Sequence, residues 1–127
     1  MNKKLLVSFL LILLSLGNVN AYDYWWLDVS VRGKMQRVYF FKDANAFEEA
    51  SGFSIPLLNW RETNENINTS YQTIFGTMRR EGFVAAFVMA EHNLYFNPSR
   101  PFAYQFYLIS NNKTYVAVLE LSERIQM

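Results

Sequence analysis

His92 is the only imidazole in the 127-residue chain, and Glu91 and Tyr95 lie close to it in sequence. A histidine beside a carboxylate can move a proton as general acid or base, and a tyrosine can share that task. Hydrolysis through Glu91 and His92 is therefore the one catalytic reading the residue types allow, against a solvated histidine in a Glu91-His92-Asn93 turn. The chain has no Gly-x-Ser-x-Gly elbow and no phosphate-cradling glycine loop. One histidine and no cysteine cannot assemble the usual zinc or thiolate sites. A glycosidase needs two carboxylates facing one substrate across a cleft. Glu48-Glu49 falls on a short exposed helix and Glu62 with Glu65 in a polar loop, so neither pair is expected to do so. No catalytic residue, metal or cofactor is expected, and Glu91, His92 and Tyr95 form a candidate polar site.

Two other groups of residues have the chemistry of recognition. Tyr24, Trp26 and Asp28 occupy alternate positions and share one face of an extended segment. If the opposite face packs inward, they form an aromatic patch of the kind that marks contact surfaces. Trp60-Arg61 joins two residue types enriched at binding hot spots. The competing structural readings are a second packed face for Tyr24 and Trp26, and a plug at the core edge for Trp60.

The first 21 residues read as a secretory signal peptide. Lys3 and Lys4 form a basic n-region of bacterial form, and Leu5 to Leu16 is an apolar run of 12 residues. Val19-Asn20-Ala21 places small residues before a cleavage point. The run is shorter than the roughly 20 residues that span a bilayer, so no stable membrane anchor is expected after cleavage. Tyr22 to Met127 is then one domain of 106 residues with net charge −1. That balance offers no electrostatic attraction for nucleic acid. The absence of cysteine excludes disulfide staples and lipid attachment at the cleavage point, and leaves packing alone to hold the domain. The 21 aromatic residues of the domain are expected to supply that packing.

Trp25, Leu27, Val29 and Val31 alternate with polar neighbours, and Arg32-Gly33-Lys34 turns into a second strand from Met35 to Phe41. Asp43 or Asn45 caps a short helix ending before Gly52. Phe53 to Trp60, with Pro56, is a packed loop or an edge segment, and 59–69 a solvated loop. From the Thr69 cap, apolar residues at 71, 74, 75 and 78 define the main helix, stopped by Gly82. Gly76 within it implies a close approach to another element. Phe83–Ala90, Phe102–Ile109 and Thr114–Leu121 are strands, the first apolar on both faces, and Ser122–Met127 is a polar tail. The expected fold is α+β: a single antiparallel sheet of about five strands with one main helix on one face, in the order β-β-α-α-β-β-β. A spatial order of 2-1-5-4-3 among those five strands fits, and resembles profilin-like and sensor-type small domains in topology alone.

These observations favour an exported protein, periplasmic or else extracellular, that binds another protein as an inhibitor, immunity factor or envelope accessory. The alternatives are a small-ligand sensor or carrier with an aromatic-lined pocket, and the hydrolase noted above. Mass spectrometry of the exported protein is expected to give Tyr22 as the first residue; any other start moves the domain boundary.

Overall fold

The computed structural model describes residues 24–92 and 97–127, with Glu91 described by its backbone alone. The expected signal peptide at 1–21 and Tyr95 lie outside the described residues. The chain folds as an α+β domain around one antiparallel sheet of six strands. β1 (Tyr24–Val31) and β2 (Lys34–Phe41) form the first hairpin, followed by α1 (Ala44–Ser51). A two-residue β3 (Arg61–Glu62) precedes α2 (Thr69–Glu81). β4 (Ala85–His92), β5 (Phe102–Ser110) and β6 (Lys113–Leu121) complete the sheet.

The spatial order is β1-β2-β4-β5-β6-β3. This corrects the expected arrangement in two respects. The five long strands lie side by side in chain order, not as 2-1-5-4-3, so the topological likeness drawn from that order falls. The sixth strand is β3, which adds to the outer edge of β6 through Arg61 opposite Val116. The physical reason for the order lies in β2. Val38, Phe40 and Phe41 are fully buried, and they point to opposite faces. A strand apolar on both sides needs neighbours and cover on both sides. β1 carries Asp28 and Ser30 and takes the edge.

The sheet is covered on both faces. α2 lays Ile74, Phe75 and Met78 against Val38, Phe40, Ala86, Val88 and Tyr107. On the other face, α1 inserts Phe47 among Phe41, Phe87 and Phe106, with ring centroids 5.7, 6.1 and 5.9 Å away. The segment after α1 continues this second core with Phe53, Ile55, Leu58 and Trp60, and passes round the β6 edge to reach α2.

Local chemistry sets the helix ends. Asp43 caps α1 by accepting from the Ala46 N–H at 2.8 Å, and Gly52 closes it at φ 81°. Asn68, one residue before the expected Thr69, caps α2 by accepting from the Tyr71 N–H at 2.7 Å. Thr77 of α2 is buried although it lies outside the apolar set at 71, 74, 75 and 78; its hydroxyl donates to the Thr73 carbonyl at 2.8 Å. A side chain at Gly76 would meet nothing within 4 Å, so close approach does not account for this glycine. Gly76→Ala should therefore stabilise the fold by about 0.5–1 kcal/mol, the helix-propensity difference, as read from the denaturation midpoint. A loss of stability would mean a neighbour occupies that space.

Candidate functional site

The strand register decides what becomes of the expected aromatic patch. Tyr24, Trp26 and Asp28 of β1 stand opposite Phe41, Tyr39 and Arg37 of β2, on the α1 face. Tyr24 packs into the second core, its ring 5.7 Å from Tyr39 and 6.1 Å from Phe41. Trp26 is 38% exposed, and the guanidinium of Arg37 lies over its ring at 3.7 Å. Arg37 Nε also faces Asp28 Oδ1 at 3.4 Å. At such exposed positions the cation–π contact contributes about 0.5–1 kcal/mol, and the ion pair about as little as other surface pairs. What the contacts fix is orientation: a tryptophan and an arginine held together on an open surface.

Beside them lies a groove of about 350 Å³. Its walls include Tyr39, Phe87, Met89 and Tyr104 from three neighbouring strands. The C-terminal tail, expected to be merely polar, closes one side with Arg124 to Met127. Ile125 is half-buried against the second core, and its N–H donates to the Tyr104 hydroxyl at 2.9 Å. Burial raises the Tyr104 phenol pKa, while the Ile125 hydrogen bond and the nearby Arg124 charge oppose the rise. The phenol is therefore neutral at physiological pH. The groove has an apolar aromatic wall and two cations, Arg37 and Arg124, among the residues that line it.

The other expected site residues do not join this groove. Trp60 is half-buried against the second core, and its indole N–H donates to the Ile55 carbonyl at 2.7 Å. Arg61 is exposed on β3. His92 is exposed at the end of β4, its ring 5.0 Å from that of Phe102 and nearly parallel to it. Glu91 pairs through its backbone with Ala103, at an irregularity between Met89 and Glu91. Three of the paired carboxylates make contacts within the fold. Glu48 accepts from the Ile55 N–H at 2.7 Å, Glu62 lies 4.0 Å from Lys113 and Glu65 pairs with Arg79. No cluster of three metal-ligating side chains occurs among the described residues, and no helix there is long and apolar enough to cross a membrane.

A second polar feature escaped the sequence reading. Gln105 and Tyr107 lie on the α2 face of β5, and the Tyr107 hydroxyl donates to Gln105 Oε1 at 2.6 Å. Burial pushes the Tyr107 phenol well above its ordinary value, Tyr71 adds to the rise and Arg32 opposes it. The unfolded chain releases this proton near pH 10 and the folded chain holds it. Stability contributed by the neutral phenol is thus complete below about pH 10 and lost as pH rises toward the folded value. Urea denaturation should show stability falling above about pH 10, with a shallower fall in Tyr107→Phe. An unchanged slope in that variant would remove the phenol as the cause. No protein-family model, curated protein or solved structure matches this chain.

Proposed function

We propose that this chain is an exported, non-enzymatic module that binds another protein through the groove beside Trp26 and Arg37. The single observation behind this reading is the exposed Trp26–Arg37 stack at 3.7 Å. Tryptophan and arginine are enriched at binding hot spots because tryptophan buries a large rigid surface and the planar guanidinium both stacks and donates several hydrogen bonds. The neighbouring groove supplies apolar wall from Tyr39, Phe87 and Met89, with Arg37 and Arg124 as cations. A complementary partner segment presents an apolar side chain to the wall and an acidic group to Arg124. Export rests on the signal-like residues 1–21, and the absence of cysteine suits a domain held by packing alone.

The groove volume favours one further reading, a carrier of a small aromatic-stacking ligand. About 350 Å³ lies within the range of small-molecule sites. A pull-down from the exported fraction distinguishes the two. The wild-type domain should retain a partner that Trp26→Ala and Arg37→Ala lose, each weakening affinity about tenfold or more. Equal retention by all three proteins would overturn the proposed interface. A small molecule that raises the melting temperature of the wild type alone would support the carrier.

A further inference from the structure

A second cavity, of about 250 Å³, lies on the opposite face of the sheet at the start of α2. Val31, Arg32, Asn68, Ser70, Tyr71 and Gln105 line it. Four observations give it a chemical preference. Gln105 is only 7% exposed, and its Oε1 is taken by the Tyr107 hydroxyl. Its Nε2 donates to no acceptor among the described residues, and a buried amide without a partner is uncommon. Asn68 satisfies the N–H of Tyr71 at 2.7 Å, leaving the N–H groups of Thr69 and Ser70 unbonded among the described residues. They point out of the positive end of a 13-residue helix. The Ser70 hydroxyl ties this end of the helix to the Ser30 carbonyl at 2.8 Å, which fixes it against the β1–β2 turn.

The fourth observation is the turn itself. Arg32 has φ 55° and Gly33 φ 79°. The β5–β6 hairpin meets the same demand for positive φ with Asn111 and Asn112, at 52° and 64°. Asparagine and glycine accept that region readily, and arginine does not. Strain of this kind collects where a side chain has work to do. Here it belongs to a residue that lines the cavity.

The geometry points to a carboxylate-binding site: the cavity takes a small organic acid, with its carboxylate at the α2 N-terminus and its carbon skeleton toward Val31 and Tyr71. The Gln105 amide and the Ser70 N–H offer donors at the cavity and Arg32 on its wall adds a positive charge, so an ionised acceptor fits where a donor does not. The volume far exceeds that of one water, about 30 Å³, which leaves room for an apolar portion against Val31 and the Tyr71 ring. This site is independent of the groove on the α1 face.

The test is a titration of the isotope-labelled protein with sodium acetate, followed by amide NMR at constant ionic strength. Acetamide serves as the neutral isostere and inorganic phosphate as the competing anion. Acetate should give saturable shifts at Arg32, Ser70, Tyr71 and the Gln105 side-chain amide, with acetamide and phosphate binding more weakly. Gln105→Leu should weaken acetate binding about tenfold, as loss of a hydrogen bond to a charged group does. Arg32→Gly should weaken it while raising the melting temperature, since glycine relieves the positive φ. Opposite signs in one variant separate a binding role from a structural one. Absent or non-saturable shifts, equal response to acetamide, tighter binding of phosphate, or unchanged affinity in both variants would each overturn the assignment.

Discussion

The ring of Phe87 is the contact on which the α1 side of this molecule depends. It sits near the middle of the sheet, 1% exposed. Phe41 and Tyr39 of β2 approach it at 5.5 and 5.6 Å, and Phe106 and Tyr104 of β5 at 5.8 and 6.1 Å. Phe47 of α1 closes the cage edge-on at 6.1 Å. Stacked, tilted and perpendicular aromatic pairs of this sort add about 0.5–1.5 kcal/mol each beyond their buried area. One side of the ring is core under α1; the other is wall of the groove. The wall of the groove is thus the continuation of the hydrophobic core, packed as tightly as the interior beneath α1.

A chain without cysteine must reach this rigidity by covering both faces of its sheet. The route of the backbone shows how. α1 and the 53–60 segment serve one face, β3 passes round the β6 edge and α2 serves the other. Thr114 secures the crossing: its hydroxyl donates to the Thr63 carbonyl at 2.7 Å, and its carbonyl accepts from the Thr63 N–H at 2.9 Å. β3 also occupies one sheet edge, reducing the row of unpaired backbone groups that invites aggregation.

What could be read in the sequence is whatever local periodicity controls. The hairpins, both helices and their glycine stops follow from alternation, the 3.6-residue spacing of Tyr71, Ile74, Phe75 and Met78, and capping chemistry. Strand order is non-local. It was nonetheless encoded in the contrast between β2, apolar on both faces, and β1, with Asp28 and Ser30 on one. The patch at Tyr24, Trp26 and Asp28 was legible as a shared face. Its division into a packed tyrosine and an exposed tryptophan was not, because the register opposite Phe41, Tyr39 and Arg37 decides it. The folded-back tail had a faint signal in Ile125, a lone apolar residue among polar ones. Gln105 had none: a glutamine in a strand is ordinary until Val88 and Val118 are known to flank it.

The two faces differ for a reason of length. α1 has 8 residues and α2 has 13, or about 12 and 20 Å at 1.5 Å per residue. The strands beneath them run 8 or 9 residues, about 26–30 Å at 3.3 Å per residue. Whatever its angle to the strands, α1 leaves more than half of that span uncovered, and the 53–60 segment fills only the side toward β6. The remainder falls over β1, β2 and β4, where Trp26, Arg37, Tyr39 and Met89 are found. A short tail lying across Tyr104 covers part of it and cannot cover all. The groove is therefore a consequence of how α1 is capped. Gly52 stops the helix after two turns at φ 81°, and a helix continuing past it would no longer release Phe53 and Trp60 to the second core. The same glycine that completes the packing under α1 leaves the neighbouring face open.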